Sequence, residues 1–324
     1  MRVVAILNAL TAALCVQEMV EQGDEVVAVV TDPSDPYPGI QPGWSVKEVA
    51  DRNYLPVYQT VPKEINSPRF VEQMRKLKPD MIVAMHYAMI FKKPLLEVPR
   101  MGSVNIHPTR LPWGQGCTPA ALHMFVGDKK NWITLHWIDP GIDTGDVIAQ
   151  TSVDVLPDDT GFDSMTKLLY AGHRIFAENL PLLREGKAPR IPQDEITRKE
   201  GVECLYYHWQ PYYARIPWDQ PAEKIELHIR ALWHPKQTPS YSGEAYTYLA
   251  GRKIIVWRSK VVDEGRWGGS KADPGEILAI VGEGLLVKTG KGVILLTDVD
   301  AEGGPEGLSG VFEILKTGLP AVFM

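Results

Sequence analysis

Through its first half this chain alternates short apolar runs with amphipathic stretches of helical period. That rhythm restricts the fold more than any other feature, because it suits a parallel sheet crossed by helices. Residues 2–6, 25–30, 57–59, 81–85, 103–106 and 132–138 read as strands; 11–21, 45–52, 68–77 and 118–126 read as helices. Gly23-Asp24 stops the first helix, Ser45 caps the second and Pro79 follows the third. The βαβα order predicts a mostly parallel α/β sheet, Rossmann-like, with helices on both faces. Ligands of such sheets sit beyond the carboxyl ends of the strands.

Residues 163–184 form the longest helical pattern, with Met165, Leu168, Leu169, Gly172, Ile175, Phe176, Leu180 and Leu183 on one stripe. Pro181 predicts a kink or an early exit, and Gly186 an end. Beyond it the character changes. A helix over 223–232 precedes short strand signals at 245–249, 253–257, 276–280, 284–288 and 293–299, punctuated by glycines. This predicts a catalytic domain over 1–188, a linker over 189–206 and a small OB-like β-barrel over 207–324.

The 324 residues carry a formal charge of −6, which argues against a general nucleic-acid binder. No apolar stretch reaches membrane-spanning length, so no membrane partner is expected. The apolar N-terminus divides into a strand and a helix and lacks a cleavage site for a signal peptide. Three scattered cysteines give neither a disulfide framework nor a zinc site, so the expected place is the reducing cytoplasm, with no metal. The exposed β signals and a dense aromatic group (Tyr206, Tyr207, Trp209, Tyr212, Tyr213, Trp218) leave room for a homodimer, although interdomain packing is the plainer use of those rings.

The chemistry concentrates in Asn105-Ile106-His107-Pro108 and in Asp139-Pro140-Gly141-Ile142-Asp143-Thr144-Gly145. Asn105 and His107 alternate along a strand and share a face. Alone they would be read as satisfied core polar groups. With Asp143 they place an amide, an imidazole and a carboxylate at two strand ends, which suits acyl transfer to an amine. Asp143 could instead cap its turn, and Asp139 fits a turn role. Cys117, at a helix start near His107, suggests a Cys–His hydrolase, but packing is the better reading.

Together with Ile229-Arg230-Ala231-Leu232, these motifs resemble the folate-dependent formyltransferases over essentially the whole chain. The similarity is to the two-domain methionyl-tRNA formyltransferase type and to amino-sugar N-formyltransferases. It implies N10-formyltetrahydrofolate as formyl donor and Asn105, His107 and Asp143 as the catalytic trio. It also implies a pterin site on two loops, with Met85, His86, Tyr87 and Ile90 on one and Ile138, Asp139 and Ile142 on the other. Met85, Ile90 and Ile142 would sandwich the ring. No Gly-x-Gly-x-x-Gly follows the first strand, so a dinucleotide is not implied.

Two departures bear on the acceptor. In the tRNA enzymes the loop after the second strand is basic, whereas residues 32–43 here contain no Lys or Arg. A phosphate-gripping loop without cations loses much of its affinity. After His107, Gln115 stands where the family has Arg, with Arg110 as an alternative cation and Trp113 as an acceptor contact. The expected acceptor is a small primary amine, first an amino-sugar nucleotide. Methionyl-tRNA is the disfavoured alternative, and hydroxyornithine-type siderophore precursors are a third class. A formyl-folate hydrolase and an idle folate-binding module are the rivals.

Overall fold

Apolar runs that are hydrophobic on both faces build the centre of the first sheet. In the computed structural model they are β1 (Arg2–Leu7), β2 (Glu25–Thr31) and β4 (Met81–Met85), joined by β3 (Val57–Gln59) at the edge and by the more polar β5 (Ser103–His107). The structure describes residues 1–8, 12–35, 45–87, 89–117, 122–208, 210–236, 243–267, 270–305, 307–316 and 321–324. The strands pair in parallel in the order β3-β2-β1-β4-β5. Alternation along β1 sends Val3, Ala5 and Leu7 into one core and Val4 and Ile6 into the other. The first core lies under helices Ala12–Glu21, Val46–Arg52 and Gly161–Arg184; the second lies under Pro68–Lys76 and Lys93–Leu96. Ser45 caps its helix through Glu48 N–H, as its position implies.

The sheet continues beyond the expected strands. β6 (Trp113–Cys117) leaves it, β7 (Lys130–Trp137) returns antiparallel to β5, and β8 (Val147–Asp154) pairs antiparallel with β7. Neither β6 nor β8 is anticipated by the sequence pattern. Of the helix expected over 118–126, Leu122–Phe125 is present and 118–121 lie outside the described residues. Helix Gly161–Arg184 opens on a Thr160–Asp163 capping box and runs past Pro181 without breaking. Pro181 removes one N–H only, and its carbonyl still accepts from Glu185 N in the last turn.

The expected linker over 189–206 is built into the first domain. Ile191 bridges Val147, helix Gln193–Glu200 follows, and β9 (Leu205–His208) pairs in parallel with β6. The charged composition that suggested a linker belongs to the outer face of that helix. Gln193 and Ile196 point inward and are buried.

The C-terminal sheet is antiparallel in the order β10-β11-β14-β13-β12, with β10 (Tyr246–Leu249), β11 (Arg252–Val262), β12 (Ile277–Val281), β13 (Gly284–Lys288) and β14 (Val293–Ala301). Residues 321–324 hydrogen bond to Tyr248 on one side and to Gly275 and Ile277 on the other, drawing the two edges together. Ile225, Ile229 and Leu232 of helix Ala222–Leu232 fill its core. That helix also joins the domains. Phe162 N–H donates to Trp233 O at 3.1 Å, and a Cβ on Gly161 would lie 1.9 Å from Ala231 O, so only glycine fits there. Of the aromatic group, Trp218 is buried against Phe323, while Tyr212 and Tyr213 are exposed. Among the described residues no helix is long and apolar enough to cross a membrane.

Candidate active site

The antiparallel turn from β5 into β7 places Asn105 opposite His136 and His107 opposite Thr134. The segment after β7 then brings Asp143 back over them. Asp143 Oδ2 lies 3.6 Å from His107 Nδ1, and Oδ1 lies 3.7 Å from His136 Nε2. Asn105, His107 and Asp143 therefore meet, with His136 as a fourth member that the sequence reading did not place at the site.

Hydrogen-bond direction fixes which nitrogen donates in each imidazole. His136 Nδ1 is 2.8 Å from Trp137 O, which only accepts, so Nδ1 carries the proton. Burial pushes this imidazole down from 6.5 to about 4, against the pull of Asp143 and helped by His107. A neutral His136 leaves Nε2 bare to accept from Asn105 Nδ2 at 3.1 Å. The Asn105 amide is thus oriented, and among the described residues its second N–H makes no hydrogen bond. His107 Nε2 is 2.9 Å from Gly114 O and so donates to it, and Nδ1 faces the carboxylate.

Asp143 is held in a left-handed conformation, φ 54°, by contacts on every side. Gly116 N–H donates to its Oδ2 at 3.0 Å. Gln193 Nε2 donates to Asp143 O at 2.7 Å and to Gly145 O at 2.8 Å. Gln115 Nε2 donates to Gln193 Oε1 at 2.9 Å. Sequence reasoning missed Gln193 because it lies in the stretch read as linker; its inward place opposite charged neighbours on one helix is the signal that was available.

The expected acceptor contacts are engaged elsewhere. Gln115 is buried behind the Asp143 loop. Arg110 pairs with Glu200 at 2.7 Å and lies over the Trp132 ring. Trp113 stacks on His123, with ring centroids 4.5 Å apart, and packs against the cluster of Leu111, Val147, Ile196 and Val202. Each is one strand or turn away from His107 but faces the segment 189–206, whose packing the sequence did not reveal.

The two expected pterin loops flank the trio. Tyr87, Met89 and Ile138 pack together at the edge of the second core. Ile90 is half exposed and its carbonyl is braced by Asn66. Ile142 is partly exposed on the Asp143 loop. Met85 departs from expectation: alternation turns it into the first core near Gly172, so it is not free to cover a ring. The Asp139 carboxylate is taken up by its own turn, accepting from Gly141 N–H and Thr144 Oγ1.

Protonation of His136 should register in stability. Its folded pKa lies below the unfolded value, so the unfolded chain binds the proton first. The contribution is complete above about 6.5 and is lost as pH falls toward about 4. Between pH 7 and pH 5 the wild type should lose on the order of 1–2 kcal/mol relative to His136→Gln, whose amide oxygen still accepts from Asn105. Urea unfolding at both pH values measures this, and parallel pH dependences would contradict it.

Comparison with known proteins completes the description. Residues 1–180 match the family model described as formyl transferase, and residues 210–307 match formyl transferase, C-terminal domain. The chain is 34% identical over 296 residues to a methionyl-tRNA formyltransferase of Symbiobacterium thermophilum, covering 90% of this chain and 85% of that protein. It is 33% identical over 291 residues to one from Agathobacter rectalis, covering 89% and 87%. In fold it is similar to an N-formyltransferase from Helicobacter canadensis solved with folinic acid and dTDP-3-aminofucose. The TM-score there is 0.62 at 18% identity, over 91% of this chain and 98% of that one. HypX from Aquifex aeolicus, solved with tetrahydrofolic acid, gives 0.61 at 17%, over 98% of this chain and 48% of that one.

Proposed function

Since the chain belongs to the formyl transferase family in both its parts, we propose that it moves a formyl group from N10-formyltetrahydrofolate to the primary amine of a small molecule, with an amino-sugar nucleotide as first choice. The observation that carries the chemistry is the meeting of Asn105, His107 and Asp143 at the strand ends. The neutral amine forms a bond to the formyl carbon, and the carbonyl oxygen becomes an oxyanion. The free N–H of Asn105 is pre-aimed to stabilise that charge. Asp143, with the His107 ring 3.6 Å from Oδ2, takes the proton leaving the amine, directly or through water. Collapse then breaks the bond from the formyl carbon to the donor nitrogen, which receives the proton, and tetrahydrofolate leaves. No covalent enzyme intermediate is required; positioning provides much of the rate.

The acceptor reading rests on charge. Residues 32–43 contain no Lys or Arg, Gln115 replaces a cation and is buried, and Arg110 is neutralised by Glu200. A second reading, methionyl-tRNA as acceptor, is favoured by the identities of 30–34% to proteins of that name. The two are separated by assaying transfer from N10-formyltetrahydrofolate to charged initiator methionyl-tRNA and to a panel of amino-sugar nucleotides. Turnover confined to a sugar amine is the expected result. Efficient turnover on tRNA would overturn the small-amine reading, and formate release without an amine would indicate a hydrolase.

A further inference from the structure

We infer that Gln115 is a positioning residue for formyl transfer, the middle link of an amide relay that holds Asp143, and not a contact for the acceptor; this rests on the role of Asp143 proposed above. The relay is fixed by atoms that can act in one way only. Asp143 O and Gly145 O only accept, so the end of the Gln193 amide that meets them, at 2.7 and 2.8 Å, is its NH2. That leaves Gln193 Oε1 turned to Gln115 at 2.9 Å, so Gln115 presents its own NH2 there. Gln115 Oε1 then accepts from the Cys204 thiol at 3.4 Å. Each link dictates the orientation of the next, from Cys204 inward to the backbone that carries Asp143.

Burial makes the relay costly to break. Gln115 is 7% exposed and Gln193 is 8% exposed. An amide already stripped of water loses more than one hydrogen bond when a partner goes. Turned the wrong way round, Gln193 would face its oxygen to two carbonyl oxygens and push the loop away.

Place is an independent observation. Gln115 Nε2 also lies 3.4 Å from Asp143 O, and the N–H of the next residue, Gly116, donates to Asp143 Oδ2 at 3.0 Å. Consecutive residues of β6 thus grip Asp143 at its main chain and at its carboxylate. Asp143 needs that grip, because a φ of 54° persists only where the surroundings over-determine it. Arginine, the family's residue at position 115, offers donors only. Glutamine can accept from Cys204 and donate to Gln193 at once.

The test is a double-variant cycle in steady-state transfer from N10-formyltetrahydrofolate to the amino-sugar nucleotide or methionyl-tRNA that the wild type turns over, with thermal unfolding alongside. Gln115→Met, similar in length and without hydrogen-bonding N–H or C=O, should lower kcat roughly fivefold, the worth of about one hydrogen bond. The acceptor KM should stay within about twofold of wild type. Combined with Gln193→Ala, it should be slower than Gln193→Ala alone by no more than about twofold, because Gln115 acts through Gln193. Gln115→Glu keeps the length and polarity of the site and serves where the apolar variant folds poorly. Its carboxylate offers only acceptors, so it should turn the Gln193 amide and lower kcat at least about thirtyfold. A raised acceptor KM with kcat intact in either variant would mark an acceptor contact and overturn the inference. Losses that multiply in the double variant, or a wild-type kcat in Gln115→Glu, would overturn it as well. Full activity of Asp143→Asn would instead overturn the role of Asp143 on which it rests.

Discussion

Asp143→Asn and His107→Ala should each lower formyl transfer by about three orders of magnitude, with urea midpoints near wild type for the first. Asparagine preserves the volume of Asp143 and tolerates its left-handed backbone, and its amide oxygen can still accept from Gly116 N–H. What it removes is the negative charge between His107 and His136 and the capacity to take a proton. Chemistry fails while the loop stays. His107→Ala removes the ring next to the carboxylate and leaves Gly114 O with only the Thr109 hydroxyl at 3.3 Å, so some stability, on the order of 1 kcal/mol, should go with it. The double variant should be little worse than either single one, because groups that act as a unit are not additive. Steady-state transfer to an accepted amine measures all three. Either single variant keeping more than about a tenth of the wild-type rate would exclude the proposed acid–base role.

Much of this could be read from the chain before its structure. β1, β2 and β4 declare themselves as apolar runs because both of their faces are buried, a local property of composition. Asn105, His107 and Asp143 were legible because each lies in a short motif, the first two at the end of β5 and the third in the loop after β7. The parts that were not legible depend on contacts distant in sequence. Gln115 and Gln193 are separated by 78 residues and meet only through folding. Helix Gln193–Glu200 looked like linker because most of it faces solvent, and two inward residues are a weak signal. His136 was not legible because the neighbour that gives it meaning, Asn105, lies across an antiparallel pair that the βαβα rhythm did not announce. Arg110 and Trp113 failed for the same reason: sequence placed them beside His107 but could not show that they turn toward segment 189–206.

The loop that carries Asp143 sets the second large effect. Gly145→Ala should lower transfer at least about a hundredfold, because an ångström of misplacement at a reacting group is enough. A Cβ there would lie 1.9 Å from Trp137 O and 2.8 Å from its carbonyl carbon. Both atoms belong to the backbone at the end of β7, where Trp137 N–H is bound to Asp146 O and Ile138 N–H to Ser103 O. The strand cannot yield without breaking those bonds, so the loop must lift, and Asp143 moves with it. Gln193→Ala attacks the same loop more gently, removing the donor to Asp143 O and Gly145 O, and should cost about tenfold in kcat with a smaller change in KM. Hydrogen exchange at Gly116 separates loop displacement from loss of fold. Its N–H is bound to Asp143 Oδ2 at 3.0 Å, so exchange there should accelerate in both variants while the central strands β1 and β4 stay protected. If Gly145→Ala keeps full activity and a protected Gly116, the placement of Asp143 does not depend on this contact. If Gly116 opens and activity survives, the carboxylate is not needed at the position described, and the acid–base role falls with it.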